Sequence, residues 1–241
     1  KKAFLHINGG GGEIYRNFWE LSDKKISIKN FLKSKYDNSD YLIFTNEFNK
    51  KSFYLNFEEK IKKILSTNKN ILTRKEIEKL YPYLRLKYWM GINNSINNQF
   101  SYSLTPFSEP NMFYNSFNIP IRLKNLGRFQ AKLIRKMDID VSKYLSDYGF
   151  NFFSKKINLK YKIKDYLRVH CPIFLRGFIR RRKKNNSEMP YFLKEEYIKN
   201  IFPLDKLLIN QYIDISKIKN PEILSRALTL EFIFQKIKEN N

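Results

Sequence analysis

The sequence predicts a mostly α-helical chain with one strand near its start. Three observations carry this. Apolar residues recur at i, i+4 and i+7 through most segments, the signature of a helix with one buried face. A single short apolar run, "KAFLHI" (Lys2 to Ile7), stops at four consecutive glycines. The chain has 241 residues, 42% hydrophobic and 16% aromatic, which suffices for one good core or two small ones.

In order, "KAFLHI" reads as a buried strand that ends at Gly9 to Gly12. "EIYRNFWEL" follows with Ile14, Phe18 and Leu21 on one helical face, and "SIKNFLKSKY" and "NFEEKIKKIL" continue the pattern. Thr73 with Glu76 three residues on is a capping box opening the next helix. "LRLKYWMGINNSINNQF" predicts a helix with Asn-rich polar faces running toward "SYSLTPF". Pro106, Pro110 and Pro120 punctuate the chain after it. "GRFQAKLIRKM" predicts a helix with Phe129, Leu133 and Met137 on one side. A closing helix is predicted from a cap at Asn220 and Pro221, with Leu224, Leu228 and Phe232 every four residues.

The charge balance is 46 Lys+Arg against 23 Asp+Glu, a formal +23. Such an excess invites a nucleic-acid or anionic-surface partner. Lys, Asn, Ile, Phe and Tyr are abundant together, however, as an AT-rich coding bias produces, so charge alone decides nothing. No apolar run approaches the ~20 residues of a membrane span. The start is too short in its apolar part for a signal peptide. The lone Cys171 excludes a disulfide framework, and the expected compartment is the cytoplasm.

The order of features resembles the synthetase domain of asparagine synthetases, and β-lactam synthetases are similar. The family's turn reads G-x-G-x-D-E-L-F-G-G-Y, and "NGGGGEIYRNF" lies over it, with Glu13 on the family's glutamate and Phe18 on its tyrosine. The family's P-F-L-D turn matches "PFSE", Pro106 to Glu109. Its E-K-x-x-L-R helix matches "QAKLIR", which places Lys132 and Arg135 on the two basic positions. The match covers about residues 3 to 155. The resemblance implies the C-terminal portion of an α/β PP-loop ATPase domain, residues 1–155, with residues 156–241 as a basic helical extension of it. The family's S-G-G-x-D-S loop does not occur in these residues and the sequence starts with Lys, so the chain is expected to be the C-terminal half of something larger.

The implied function is an ATP-dependent amidotransferase or amide-forming ligase. A small-molecule carboxylate is adenylated, pyrophosphate leaves, and an amine displaces AMP. The implied cofactors are ATP and Mg²⁺, with a separate glutaminase or ammonia source as partner. Gly10, Gly11 and Gly12 are expected to line the nucleotide site as an anion-binding nest, with Glu13 catalytic. Lys132 and Arg135, one helical turn apart, are expected to contact pyrophosphate, Lys132 in a catalytic role as well.

Two positions depart from the family. Its metal-holding aspartate falls on Gly12, and its later lysine falls on Asp147, in "LSDYGF". The alternative is therefore a non-catalytic basic protein of the same scaffold that binds nucleic acid or another anionic partner.

Other features carry competing readings. Glu13 suits the first turn of a helix without any site role, and Arg16 is placed to enter the same site. His6 reads as a core histidine, and His170 beside Cys171 lacks zinc-ligand spacing. The Asn93, Asn94, Asn97, Asn98 and Gln99 cluster reads as capping or as a substrate face. "RRRKK", Arg180 to Lys184, reads as a solvated loop or an anion contact.

Overall fold

A computed structural model describes residues 5–36, 43–154, 156–173, 175–176 and 188–240. Lys2 to Phe4 of the predicted strand and the Arg180–Lys184 run lie outside them. The fold is mostly helical, as expected. It divides into two compact units, one of residues 1–31 and 58–173, the other of 32–57 and 174–241. The chain thus changes unit at 31/32, 57/58 and 173/174.

In the first unit, β1 (Leu5–Ile7) pairs in parallel with β4 (Tyr102–Leu104), Leu5 opposite Tyr102 and Ile7 opposite Leu104. β2 (Ile26–Ser27) pairs antiparallel with β3 (Ile71–Leu72). Two expectations are corrected here. Leu5, His6 and Ile7 are all exposed rather than buried, because β1 has a single neighbouring strand. His6 is accordingly no core histidine, and its Nδ1 lies 3.2 Å from Ser103 Oγ.

β4 lies in "SYSLTPF", toward which the Asn-rich helix was expected to run and where no strand was expected. That helix, α4 (Gly91–Asn97), stops at Asn98. The Asn98 side chain then accepts the Ser103 N–H at 2.8 Å and turns the chain into the strand.

"EIYRNFWEL" is not a helix beyond one 3₁₀ turn, Gly12–Tyr15. The Asn17 side chain is the reason. Its Oδ1 accepts the Leu21 N–H at 3.1 Å and its Nδ2 donates to the Leu21 carbonyl at 3.0 Å, taking both groups from helical pairing. Ile14, Trp19 and Leu21 are nevertheless buried. They join Phe31, Leu72, Ile77, Leu80 and Tyr81 in the core, with ring contacts Trp19–Phe31 at 5.1 Å and Phe18–Tyr81 at 4.7 Å.

Helices α1 (Ile28–Tyr36) and α3 (Arg74–Leu80) form where the sequence placed them, and α2 (Lys50–Leu65) contains the expected "NFEEKIKKIL" but starts six residues before it. At α3 the capping box is complete, with Thr73 Oγ1 accepting from Glu76 N and the Glu76 carboxylate accepting the Thr73 N–H at 2.7 Å. That bond from the Thr73 backbone, helped by the Thr73 hydroxyl and Lys69, holds the Glu76 carboxyl at about 2. A ten-residue π-helical stretch, Tyr81–Met90, continues from α3, with Pro82 in its first turn unable to donate an N–H.

Two helices follow β4, α5 (Pro110–Ser116) and α6 (Ile121–Lys124). A buried ionic triad ties α3 to α6. Glu78 accepts from Arg74 Nη2 at 2.7 Å and from Lys124 Nζ at 2.9 Å, with the three side chains 11%, 6% and 1% exposed. Desolvation pushes both Arg74 and Lys124 below their ordinary values, while Glu78 opposes that shift. The unit is completed by α7 (Arg128–Met137) and α8 (Leu159–His170).

The second unit joins a short early segment to the end of the chain. Phe44 bridges Ile213, Thr45 N–H donates to the Tyr212 carbonyl, and Asp214 N–H donates to the Ile43 carbonyl at 2.7 Å. Its core holds Ile43, Leu193, Ile198, Leu207, Ile209, Leu224 and Leu228. The last helix, α9 (Pro221–Glu239), is capped by Asn220, whose Oδ1 accepts the Ile223 N–H at 3.1 Å. Leu224 and Leu228 are buried as their spacing predicts, whereas Phe232 is 52% exposed. Glu231 is fully buried, and its carboxylate accepts the Ile209 N–H at 2.8 Å and Gln235 Nε2 at 2.7 Å.

No described helix is long and apolar enough to cross a membrane.

Candidate functional site

The glycine turn packs against the Pro106–Ser108 turn, so two of the three matched motifs meet. Gly11 has φ +91, and a Cβ there would lie 3.1 Å from Phe107 Cβ and 3.1 Å from Leu86. Only glycine fits that position without strain. At Gly12 a Cβ would sit at an ordinary 3.6 Å from the Phe107 ring. Parallel pairing of β1 with β4 creates this arrangement, since the two turns leave the sheet side by side.

The backbone N–H groups of the turn already have partners. Gly10 N–H donates to Asn8 Oδ1 at 2.8 Å, Gly11 N–H to Glu13 Oε2 at 3.2 Å, and Gly12 N–H to the Gly9 carbonyl at 3.3 Å. Of these three N–H groups, only that of Gly11 is taken by the Glu13 carboxylate, through Oε2. The same oxygen accepts from Tyr81 Oη at 2.8 Å. Burial, and then Glu13, pushes the Tyr81 hydroxyl above its ordinary value. Glu13 and Arg16 line one void of about 10 Å³, too small for a nucleotide. Arg16 also lies 3.8 Å from Asp147 and 5.6 Å from the Tyr148 ring centre.

Lys132 and Arg135 stand elsewhere. The geometry is set at the start of α7, where Leu126 (φ 55) and Gly127 (φ +62) are both left-handed. A Cβ on Gly127 would meet the Tyr148 ring at 2.5 Å, so glycine is required there. The helix that follows carries Arg128, Lys132 and Arg135 at i, i+4 and i+7, a single face. Those three cations, with Phe150 and Phe152, line a cleft of about 160 Å³. Neither the glycines nor Glu13 line it, and its lining includes no carboxylate. Arg135 Nη1 donates to the Phe152 carbonyl at 3.1 Å, which fixes the far wall. Tyr15 links α7 to the glycine turn, stacked on Phe129 at 5.2 Å and edge-on to Phe107 at 5.9 Å.

Arg128, Phe150 and Phe152 were not among the expected site residues. The heptad-like spacing of Arg128 to Lys132 and Arg135 was visible in the sequence, but the aromatic wall comes from a later loop whose return only the fold shows.

Other candidates have structural partners. Asn94 Oδ1 accepts from Thr105 Oγ1 at 2.8 Å and, with Asn98, anchors β4 to α4. His170 Nδ1 lies 3.0 Å from the Tyr166 carbonyl, and its ring stacks on Tyr166 at 4.2 Å. Among the described residues no group of three or more His, Cys, Asp or Glu is placed to hold a metal ion. The Glu13 carboxylate accepts from Gly11 N–H and Tyr81 Oη.

The second unit holds a larger cavity, about 710 Å³, walled by Leu193, Ile198, Leu207, Ile218 and Leu224. Its rim carboxylates are paired, Glu195 with Lys199 at 2.7 Å and Asp214 with Lys217 at 2.8 Å.

No family model, curated protein or solved structure matches the chain.

Proposed function

We propose that the chain supplies the pyrophosphate-binding side of an ATP-dependent amide-forming ligase of the asparagine synthase kind. The observation that carries this reading is the cleft on α7, where Arg128, Lys132 and Arg135 converge with no carboxylate in the lining. A substrate carboxylate oxygen attacks the α-phosphorus of ATP, and the bond to the bridging oxygen of the β-phosphate breaks. That oxygen leaves as pyrophosphate with the electron pair. An amine then attacks the acyl carbon, loses a proton, and expels AMP.

Within this scheme the three cations neutralise the charge that develops on the leaving pyrophosphate, and Arg135 has the fork geometry for bidentate contact. Phe150 and Phe152 limit water access, which strengthens each contact. No step is assigned to magnesium, and none to the glycine N–H groups.

The test is calorimetric titration with inorganic pyrophosphate, alongside ATP–pyrophosphate exchange in the presence of a carboxylate pool. One charge-assisted contact contributes about 1.5–3 kcal/mol, so Lys132→Ala is expected to weaken binding by roughly 10- to 150-fold. Unchanged binding in Lys132→Ala would refute the assignment.

A second reading is favoured by Glu13. Its carboxylate accepts the Gly11 N–H and the Gly10 and Gly12 N–H groups are paired within the turn, which suits a non-catalytic protein that keeps the scaffold and binds an anionic partner such as nucleic acid. Absence of exchange, together with polynucleotide affinity that falls steeply with salt, supports that reading instead.

A further inference from the structure

Helix α8 (Leu159–His170) is amphipathic twice over. Its inner side is anchored by Val169 and Asp165, both buried. Its outer side is apolar as well. Leu159, Ile163, Tyr166 and Leu167 are 67%, 51%, 61% and 62% exposed. At 100° per residue they fall within one arc, with the His170 ring stacked on Tyr166 inside it.

The charges on α8 frame this stripe. Lys160 and Lys164 border it on one side and Lys162 on the other, and all three are exposed. The helix's one carboxylate, Asp165, is on the opposite side and paired with Arg168 at 2.6 Å. The outward face therefore presents aliphatic residues and a tyrosine between Lys160 and Lys164 on one flank and Lys162 on the other, and no negative charge.

We infer that α8 is a docking face for an anionic lipid surface, lying in the plane of the interface. Charge complementarity selects this occupant. Lysines on both flanks can extend toward lipid headgroups while their stems and the Leu159–Ile163–Leu167 stripe enter the acyl boundary. Tyr166 suits the interfacial level, where an apolar ring with a polar tip is stabilised. A nucleic acid would use the lysines but leave the aliphatic stripe in water.

The experiment is co-sedimentation of the full chain with vesicles of phosphatidylcholine alone, or of phosphatidylcholine with 30% phosphatidylserine. Binding to the anionic vesicles only, weakened at 0.5 M salt, is expected. Each lysine near such a surface contributes about a 5-fold increase in partitioning at low salt, so Lys160→Glu with Lys164→Glu should lower it by at least about 25-fold. Ile163→Ser with Leu167→Ser should abolish it while tryptophan fluorescence stays native. The control is Lys29→Glu with Lys33→Glu, the same charge change at the same spacing on exposed positions of α1. Equal loss in that control would show that net charge alone drives binding and would overturn the proposal. So would binding that survives Ile163→Ser with Leu167→Ser, failure of the wild type to bind anionic vesicles, or stripe-dependent self-association without lipid binding in sedimentation velocity.

Discussion

The buried triad of Arg74, Glu78 and Lys124 holds two cations against one anion, and that imbalance predicts very unequal effects of removing its members. Glu78→Ala leaves both cations, 6% and 1% exposed, without their shared carboxylate, Arg74 keeping only its bond to the Leu21 carbonyl and the more distant Asp23, which should cost about 3–5 kcal/mol. Lys124→Met removes one cation, keeps the volume of its stem, and leaves Glu78 paired with Arg74 at 2.7 Å. The remaining pair is neutral, so the expected cost is within about 1 kcal/mol.

Urea denaturation followed by tryptophan fluorescence reads this unit alone, since Trp19 and Trp89, the chain's two tryptophans, both belong to it. The pH dependence adds a second check. Lys124 has a folded value below its ordinary 10.5, so between the two values the unfolded chain binds more protons and stability rises with pH. The wild type should therefore gain on Lys124→Met as pH climbs toward 10.5. If Lys124→Met proved as damaging as Glu78→Ala, the reasoning from charge imbalance would be refuted.

Four further outcomes are expected. Thr73→Ala should lose about 1 kcal/mol through the capping box. The Glu76 carboxyl sits at about 2 against an ordinary 4.5, so its contribution is complete above pH 4.5 and disappears as pH falls toward 2. An acid titration of Glu76→Gln against wild type should show the difference shrinking over that window. In the second unit, Glu231→Ala should cost roughly 2–4 kcal/mol by leaving the Ile209 N–H buried without an acceptor, whereas Glu231→Gln should cost under about 1 kcal/mol; urea melts by circular dichroism compare them. Gly11→Ala should cost about 1–3 kcal/mol and Gly12→Ala under about 1 kcal/mol, because only the first has positive φ and a crowded Cβ; equal thermal shifts would contradict this.

Much of the helical content was legible because local signals and tertiary packing agree. The Thr73–Glu76 box, the Asn220 cap and the face of α9 through Leu224 and Leu228 all appear where spacing places them. The reading failed where one polar side chain redirects the backbone. Asn17 competes for the bonds a helix after Tyr15 would need, and Asn98 converts a helix end into β4. Periodicity contains no information about either. At the site, the spacing of Lys132 and Arg135 did place both on one face of α7, where they line one cleft. The glycine nest was legible as a turn but not as a turn closed by Glu13, because a carboxylate two residues from a glycine has many rotamers and only Tyr81, 68 residues on, fixes this one.

The second unit is assembled from residues 32–57 and 174–241, and this has a consequence for synthesis. The ribosome releases the first segment with 116 residues still to be made before the second begins. At about 5–20 residues per second that interval is roughly 6–23 s. Throughout it, the Ile43 carbonyl and the Thr45 N–H have neither Asp214 nor Tyr212 to pair with. A nascent chain arrested before residue 174 should thus carry residues 43–57, which belong to the second unit, in a protease-accessible state. The order of delivery leaves the early segment without the rest of its core until the end of the chain is made.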